Sequence, residues 1–541
     1  MFINFSDIPG HQNLFLDYVY EFNNVKDFYL SDFRNKDAYH DHFHTITKEQ
    51  NPLLFKLPEI IAEQYNAFQP SSKTLKNIAL LKEPKTLAVF TGQQLGVLGG
   101  PLYTIYKTIT AIKLAQHLNE RYDEFNFVPV FWLEGDDHDF NEVNSVTIIN
   151  EENNLATIAY EDSLPEGEFR GSVGELTFSD AIHTFLHGFQ NSLRKTEFTE
   201  AIISELREIY QEGKSFKQSF RQLIFNYFDQ YGLIIFDPQQ KEIKKLLKPI
   251  FQEELLNYRQ HSEKLILRSA ALEETYHAQV KVRPINLFMN YEKGRYAIEP
   301  VEEHFRLKNK RVKFTQEELL KLITDTPELF SPNVILRPIC QDYLFQTAFY
   351  VGGPSEVSYF SQVLPLYEEF QIPAPIIYPR SAATIIEKGV QTVFEKYQLN
   401  LVDFFLNADK IAEKVINNLS EYDTEADFAQ TQKELEKAID GLKEKLTVLD
   451  KTIGDSADRY KLKMINTLNE FKGKANEAQK RKYETALRQT TKTSLAVFPN
   501  ANLQERELNY YYFANKYGKS FIRILFDELA INKFEHQVIN L

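Results

Sequence analysis

A strand end, a glycine-rich loop and a helix start follow one another in Phe90-Thr-Gly-Gln-Gln-Leu-Gly-Val-Leu-Gly-Gly-Pro-Leu-Tyr-Thr-Ile-Tyr-Lys107. The apolar run Leu87–Phe90 that leads into it is typical of a buried strand. Pro101 stands where helices tolerate proline, in the first turn, and apolar side chains then recur at helical spacing as far as Leu118. This order predicts the beginning of an α/β domain.

The loop in this stretch has the composition of a binding site for an anionic group. Its glycines leave backbone N–H groups free at a helix N-terminus, where phosphate and carboxylate groups bind. The alternative is a tight turn that needs the positive φ of glycine. We favour the binding site, and the residues predicted to contact substrate or nucleotide here are Thr91, Gly92, Gln93, Gln94, Gly96, Gly99, Gly100, Tyr103 and Lys107.

A second buried strand, Phe127–Leu133, contains Trp132 and leads directly into an acidic loop. In a doubly wound α/β domain ligands bind beyond the carboxyl ends of the strands, so the two loops are expected to face one another. A single histidine without repeated spacing argues against a metal held by the protein and favours Mg²⁺ that arrives with a nucleotide. A solvated acidic loop is the alternative. The catalytic candidates are Asp137, His138 and Asp139, beside Glu134, Asp136 and Glu142.

A third group of candidates lies between residues 337 and 380. The guanidinium of Arg337 suits a carboxylate or a phosphate because it donates two parallel hydrogen bonds, and Arg380 has the same chemistry. Two glycines stand before a proline and a helix, as in the first loop. The further predicted binding residues in this region are Gln341, Asp342, Gly352, Gly353, Glu356 and Tyr359.

The bulk composition excludes several classes of protein. A formal net charge of −14 argues against a general binder of nucleic acid or of anionic membranes. The single cysteine, Cys340, excludes an internal disulfide framework and a cysteine-rich zinc site, which fits a cytoplasmic protein. No apolar run approaches the length of a membrane span, and the first residues lack a signal-peptide pattern. The sequence also lacks the GxxxxGK[ST], GxGxxG, GxSxG and HxGH motifs.

The chain changes character near residue 386. From there to residue 495 proline is absent, and apolar residues from Leu435 to Ala478 recur at heptad spacing, which predicts a coiled coil. Gly454-Asp455-Ser456 either turns this segment into an antiparallel hairpin or lies within one long helix. We therefore expect an α/β core at 1–385 with inserted elements at roughly 141–330, a helical coiled-coil domain at 386–495, and a segment at 496–541 that returns to the core.

Four segments together resemble the family of the bacillithiol biosynthesis cysteine-adding enzyme, a cysteine ligase. They cover nearly the whole chain in order: Thr91-Gly-Gln-Gln-Leu-Gly96 with Gly100-Pro-Leu-Tyr-Thr-Ile-Tyr-Lys107, Val128-Pro-Val-Phe-Trp132 with Asp137-His-Asp-Phe140, Leu336-Arg-Pro338 with Gln341-Asp342 and Gly352-Gly-Pro354, and Leu503-Gln-Glu-Arg506 with Asn509. The resemblance adds Gln504 and Arg506 to the predicted binding residues. Glu134 and Asp136 depart from the family pattern, in which we expect Ala-like and Glu residues.

The resemblance implies a Rossmann-like core with connecting-peptide insertions and a coiled coil that forms a homodimer. It also implies addition of L-cysteine to glucosaminyl malate in the last step of bacillithiol biosynthesis. A free carboxylate does not acylate an amine at a useful rate because its leaving group is oxide. We therefore expect ATP with Mg²⁺ and no tightly held metal.

The expected roles follow from this chemistry. Backbone N–H groups from Gly92 to Gly100, with His138, stabilise phosphate charge. Asp137 or Asp139 accepts the amine proton, and Arg337 or Arg380 binds the malate carboxylates. Two other classes stay open: a non-catalytic coiled-coil scaffold whose pocket senses a nucleotide, and another ATP-dependent amide ligase or nucleotidyl transferase.

Overall fold

The computed structural model of the protein describes residues 1–48, 51–162, 164–165, 170–420 and 424–541. The chain forms two compact units, a core unit of residues 1–384 with 502–539 and a helical unit of residues 385–501 with 540–541. Among the described residues, no helix combines the length and the hydropathy that crossing a bilayer requires.

The strands along the described chain are β1 (Phe2–Ile3), β2 (Thr86–Gln94), β3 (Asn126–Glu134), β4 (Ser145–Ile149), β5 (Leu155–Ala159), β6 (Ile234–Phe236), β7 (Leu287–Tyr291), β8 (Gly294–Val301), β9 (His304–Leu307), β10 (Lys313–Phe314), β11 (Phe330–Pro332), β12 (Thr347–Gly352), β13 (Ile376–Pro379), β14 (Ala382–Ile386) and β15 (His536–Asn540). The helices are α1 (Asn13–Tyr20), α2 (Tyr39–Thr47), α3 (Lys56–Gln64), α4 (Ser72–Leu80), α5 (Tyr103–Arg121), α6 (Ala181–Ser192), α7 (Thr199–Ile209), α8 (Phe216–Phe228), α9 (Lys241–Leu246), α10 (Lys248–Glu273), α11 (Gln316–Asp325), α12 (Arg337–Leu344), α13 (Pro354–Glu369), α14 (Lys388–Tyr397), α15 (Ala408–Leu419), α16 (Thr424–Leu449), α17 (Lys451–Lys482), α18 (Glu484–Val497), α19 (Gln504–Glu507), α20 (Tyr510–Tyr517) and α21 (Phe521–Glu528).

A five-stranded parallel sheet in the order β13-β12-β2-β3-β6 forms the centre of the core unit. The predicted strand–helix–strand start is confirmed, because β2 and β3 pair in parallel from Thr86↔Asn126 to Gln94↔Glu134 and α5 connects them. The chain adds β3 and β6 on one side of β2 and later β12 and β13 on the other. The strand order therefore reverses beside β2, and this is the position at which such sheets bind ligands.

The sequence explains why these strands lie at the centre. The run from Phe127 to Leu133 is apolar throughout and fully buried, as expected for a parallel strand covered on both faces. Gly92 lies where β2 approaches β3 closely, because a Cβ atom there would lie 2.9 Å from the carbonyl oxygen of Trp132. Only glycine fits this approach without a shift of the backbone.

A second, antiparallel sheet of the core unit has the strand order β10-β9-β8-β7-β11. A short turn joins β7 to β8, which pair at Asn290↔Arg295, whereas β11 returns after β8, β9, β10 and α11 to pair with β7 at Phe330↔Met289. A separate hairpin of β4 and β5 follows the acidic loop after β3. The antiparallel sheet matters for function because it carries one wall of the cavity described below.

In the helical unit α16 and α17 form an antiparallel hairpin. The chain reverses at Asp450, whose backbone is extended and whose carboxylate accepts the N–H of Thr452 at 2.7 Å. Of the two alternatives left by the sequence, the structure has the hairpin, but its turn precedes Gly454-Asp455-Ser456. Three ion pairs join the helices, and residues farther back along α16 pair with residues farther forward along α17: Lys443–Asp458 at 2.6 Å, Asp440–Lys461 at 2.7 Å and Glu425–Lys472 at 2.5 Å.

Gly454 lies inside α17, where its missing side chain has a packing role. A Cβ atom at this position would lie 2.2 Å from Oγ1 of Thr447 on α16, so glycine lets the two helices approach closely next to their turn. Asp450 caps the N-terminus of α17, a position that aspartate favours, and α16 therefore ends before it. The side chain of Leu449, which belongs to the predicted heptad seam, lies outside the described part of the structure.

Candidate active site

A cavity of about 840 Å³ opens in the core unit at the carboxyl ends of β2, β3 and β12. The antiparallel sheet and the segment 279–284 form the opposite wall. The two predicted loops thus contribute to one site, as expected for a sheet of this type. The predicted site residues that line the cavity are Gly92, Gln93, Gln94, Tyr103, Lys107, Trp132, Asp137, His138, Arg337, Gly353, Glu356, Tyr359, Arg380 and Arg506.

Lys107 and Glu356 form a buried ion pair in the cavity wall. The ammonium of Lys107 lies 2.7 Å from Oε2 of Glu356 and donates to the carbonyl oxygen of Gly92 at 2.6 Å. Only 2 % of the Lys107 side chain and 21 % of the Glu356 side chain are exposed. Burial raises the pKa of Glu356, but the ammonium of Lys107 and hydrogen bonds from Gly353 and Tyr350 together hold the pKa below its ordinary value. The carboxylate is therefore ionised at neutral pH.

Glu134 ends β3 and presents its carboxylate to the cavity. Burial raises the pKa of Glu134 to about 7, opposed by the guanidinium of Arg337, whose Nε lies 3.8 Å from the carboxylate. Asp136 and Asp137 raise the pKa further because like charges disfavour a second ionised group. With 25 % of its side chain exposed, Glu134 has access to a ligand in the cavity. A carboxylate with this pKa changes its charge near neutral pH.

His138 faces the cavity as a neutral imidazole. Burial, and then the nearby guanidinium of Arg295, lowers the pKa of His138. Nη1 of Arg295 lies 3.4 Å from Nδ1 of His138, and because arginine can only donate, Nδ1 accepts. This contact assigns the imidazole proton to Nε2, which is then available to donate to a ligand.

The guanidinium of Arg337 is held between aromatic rings and amides. It lies 5.1 Å from the ring centre of Tyr350 and donates to Oε1 of Gln341 at 3.0 Å. Gln341 in turn donates to Asp342, and neither of these two residues lines the cavity. The structure thus has these two predicted binding residues next to Arg337, where their hydrogen bonds position its guanidinium. Arg380 differs, because a buried ion pair of 2.6 Å with Glu505 already neutralises its charge.

Gly96, Gly99 and Gly100, predicted to bind an anion, do not line the cavity, and their binding role stays a prediction. The N–H groups of all three already donate to backbone carbonyl oxygens of the same loop at 2.9–3.1 Å. Gly99 has a φ of 85° and Gly100 a φ of 70°, so these glycines form a tight turn that requires positive φ. Strand β2 also continues to Gln94, so the loop between β2 and α5 is shorter than the sequence predicted.

Four further predicted residues lie outside the cavity lining. Asp139 is exposed and accepts the N–H of Glu142 at 3.3 Å, so the structure does not place it among the catalytic candidates. The Thr91 hydroxyl donates to the carbonyl oxygen of Val351 at 3.1 Å and ties β2 to β12. Gly352 and Gln504 are buried behind the lining.

No local pattern in the sequence indicated the wall formed by the antiparallel sheet. Arg295 on β8 is buried, donates to Oγ of Ser331 at 2.8 Å and lies 3.9 Å from the ring centre of Phe288. Pairing of β7, β8 and β11 brings these residues together beside His138, which lies far away in sequence. The cationic residues missed from this wall are Lys281, Arg283, Arg295 and Lys308.

Two family models match the chain over almost its entire length. Residues 1–381 match the N-terminal Rossmann-like domain of BshC of bacillithiol biosynthesis, and residues 383–541 match its C-terminal coiled-coil domain. The chain belongs to the BshC family. This confirms the family suggested by the four sequence segments and the predicted fold class of a Rossmann-like domain followed by a coiled coil.

Similar proteins span the same length as this BshC-family chain. A relative from Chloroherpeton thalassium is 35 % identical over 95 % of this chain and 93 % of its own, and one from Salinibacter ruber is 32 % identical over 97 % and 96 %. Both are named "Putative cysteine ligase BshC". A crystal structure described as an arginyl-tRNA synthetase from Campylobacter jejuni is 11 % identical with a TM-score of 0.22, covers 81 % of this chain and 99 % of its own, and supports no conclusion.

The cavity of this BshC-family chain draws on both matched segments. Arg337 and Arg380 belong to the segment that matches the Rossmann-like domain. Arg506, which also lines the cavity, belongs to the segment that matches the coiled-coil domain. Because residues 502–539 pack as part of the core unit, the cavity is complete within that unit.

Proposed function

We propose that this chain joins L-cysteine to glucosaminyl malate through an amide bond and uses ATP with Mg²⁺ to activate the cysteine carboxylate. The observation that carries the proposal is the cavity at the sheet edge, in which cationic side chains surround Glu134, a carboxylate with a pKa of about 7. The names of the relatives support cysteine as one substrate. ATP follows from the chemistry, because an unactivated carboxylate has no adequate leaving group.

The charge of the cavity suits substrates that carry several negative charges. Glucosaminyl malate has carboxylates and ATP has phosphates, and guanidinium groups bind both in bidentate fashion. In a chain whose net charge is −14, a lining rich in Lys and Arg is a local feature. Lys281, Arg283 and Lys308 line the cavity without an ion pair among the described residues, which makes them available to an anion.

We assign the phosphate chain of the nucleotide to the side of His138, Arg283 and Arg295. There Nε2–H of His138 and two guanidinium groups surround the ring of Phe288, with Arg283 5.4 Å and Arg295 3.9 Å from its centre. Preorganised donors of this kind stabilise charge that develops on a leaving group. The carboxylates of Asp137 and Glu142 both accept from the amide of Gln94, so together they offer the oxygen ligands that Mg²⁺ prefers.

We assign the role of general base to Glu134. The attacking amine of the glucosamine must lose a proton, and a carboxylate with a pKa near 7 accepts it efficiently at neutral pH. Asp137 and Asp139 were the candidates from the sequence, but Asp139 lies outside the cavity lining, and the Asp137 carboxylate already accepts the N–H of His138 at 2.7 Å and the amide of Gln94 at 2.5 Å. We assign a malate carboxylate of the same substrate to Arg337, which lies next to Glu134.

The route of activation is tested by exchange of pyrophosphate. If the cysteine carboxylate forms an acyl adenylate, incubation of the chain with ATP, Mg²⁺ and labelled pyrophosphate transfers label into ATP, and only when cysteine is present. Activation as an acyl phosphate instead releases ADP without exchange. Turnover with cysteine and glucosaminyl malate that consumes no nucleotide would contradict the use of ATP.

We further propose that two copies of the chain form a dimer through the α16–α17 hairpin. The hairpin leaves large apolar side chains in solvent, with 54 % of Leu442 and 48 % of Met464 exposed. Both belong to the heptad pattern that predicted a coiled coil, so the pairing of the two helices alone does not bury the seam. A second copy is the partner that the resemblance implied for this surface.

The double variant Leu442→Asp/Met464→Asp is expected to be monomeric, because four charges would be buried in each dimer interface. Light scattering after size exclusion measures the mass, and circular dichroism checks that the helices remain. Glu444→Lys, an exposed polar position between them, is the control and is expected to remain dimeric. A wild-type monomer, or a double variant that stays dimeric, would contradict the interface.

A further inference from the structure

Two histidines and a glutamate converge on the surface of the core unit, away from the cavity. Nε2 of His40 lies 3.3 Å and Nε2 of His44 lies 3.5 Å from the same oxygen, Oε2 of Glu124. His40 and His44 are one helical turn apart on α2, and Glu124 lies in the connection between α5 and β3. The three atoms lie within 4.8 Å of one another.

These separations match those of a tetrahedral metal site. Zn²⁺ binds histidine nitrogen and carboxylate oxygen at about 2.0–2.2 Å, so two ligand atoms at the tetrahedral angle are about 3.3–3.5 Å apart. The two distances from Glu124 to His40 and His44 fall in this range. For these two pairs the ligand atoms already have the separations that a bound ion requires, and the third pair lies within 4.8 Å.

The surrounding residues hold the three groups in place. The ammonium of Lys85 lies 2.5 Å from Oε1 of Glu124, which leaves Oε2 facing the imidazoles. The buried ring of Phe125 contacts both imidazoles, with centroid distances of 6.0 Å to His40 and 5.1 Å to His44. Groups outside the ligand set commonly orient metal ligands in this way.

We propose that His40, His44 and Glu124 bind one divalent transition-metal ion of the zinc type, with water in the fourth position. Imidazole and carboxylate form the donor set of Zn²⁺ sites, whereas Mg²⁺ requires an octahedron of oxygens. Lys85 places a positive charge beside the site, and Asp41, 4.0 Å from Nδ1 of His40, places a negative one there. The site departs from the expectation that the protein holds no metal, and it does not depend on the proposed ligase activity.

Such an ion would link α2 to the connection that leads into β3. Because the three ligands meet only in the folded chain, the ion stabilises the folded state over the unfolded state. The spacing His-x-x-x-His is visible in the sequence, but the third ligand is supplied by a distant segment and is not. This explains why the sequence alone did not indicate the site.

Isothermal titration of the full chain with Zn²⁺, after removal of any affinity tag and without substrates, tests the site. We expect one Zn²⁺ per chain, a rise in Tm with Zn²⁺ and none with the same concentration of Mg²⁺. His40→Ala, His44→Ala and Glu124→Gln are each expected to weaken binding by at least about tenfold. His304→Ala removes an exposed histidine on β9 and is expected to bind as the wild type does.

Two results would overturn the proposal. One is a wild-type chain that binds no Zn²⁺. The other is a variant His40→Ala/His44→Ala that binds Zn²⁺ with the wild-type affinity and stoichiometry, since the metal would then bind elsewhere. The Tm of each variant without metal shows whether it is folded. The ligase assay is not used as the readout, so a failure of the metal site is distinguishable from a failure of the proposed function.

Discussion

Glu134→Gln is expected to lower kcat by about 10²- to 10⁴-fold, the range that a general base contributes. The amide keeps the size of the side chain and its polar contact with Arg337 but cannot accept a proton. Binding of glucosaminyl malate should change much less, because the proposed carboxylate contacts come from arginine and lysine. The loss should therefore fall on kcat more than on KM, as measured by steady-state kinetics.

The pH profile gives the same prediction a second readout. Burial raises the pKa of Glu134 to about 7, and the ionised form is the active base, so the rate rises with pH and levels off above about 7. The substrate amine titrates as well, so the wild-type profile has to be compared with that of Glu134→Gln. The rise in rate that follows ionisation of Glu134 should be absent from the pH profile of the variant.

Asp139→Asn is the matched control for the base. Asp139 is the sequence candidate that the structure places outside the cavity, and its replacement should leave kcat within about twofold of the wild type, since surface changes away from a site have small effects. A large loss in Asp139→Asn together with a near-normal Glu134→Gln would contradict the assignment of the base.

Lys107→Met is expected to lower the free energy of unfolding of the core unit by about 3 kcal/mol, the lower end of the range for breaking a buried ion pair. The variant leaves the ionised carboxylate of Glu356 without its ammonium in a wall where only 21 % of that side chain is exposed. It also removes the hydrogen bond to the carbonyl oxygen of Gly92. Denaturant unfolding, followed by the fluorescence of Trp132 in β3, measures the change.

Two comparisons identify the cause of that loss. Lys107→Met/Glu356→Gln removes both charges and should recover most of the stability, because no unpaired charge stays buried. Lys85→Met breaks an exposed pair with Glu124 and should change the stability far less, because solvent screens exposed ion pairs. A double variant no more stable than Lys107→Met would show that the pair is not the cause.

The elements that could be predicted from the sequence are those with a recognisable pattern of neighbouring residues. The apolar runs before Gly92 and Glu134 and the helical spacing after Pro101 indicated β2, α5 and β3, and parallel pairing then had to bring their ends together. Lys107 and Glu356 could be proposed as candidates in this way. Their mutual ion pair could not, because it depends on how α5 and α13 pack.

The rest of the site depends on long-range packing. The N–H groups of the glycine loop were predicted to be free, but contacts within the loop use those of Gly96, Gly99 and Gly100. The raised pKa of Glu134 follows from burial, which no local pattern encodes. Arg295 reaches His138 only through the pairing of the antiparallel sheet. In the helical unit the strongest turn former by composition was Gly454, yet the cap of Asp450 sets the turn and Gly454 serves close packing.

The most direct test of the central claim is product formation by the purified chain. The chain is incubated with glucosaminyl malate, cysteine, ATP and Mg²⁺, each is omitted in turn, and mass spectrometry follows the products. The account predicts the cysteinyl amide of glucosaminyl malate only in the complete mixture, together with AMP or ADP. A complete mixture that yields no amide with folded protein, or an amide that forms equally well without ATP, would contradict it.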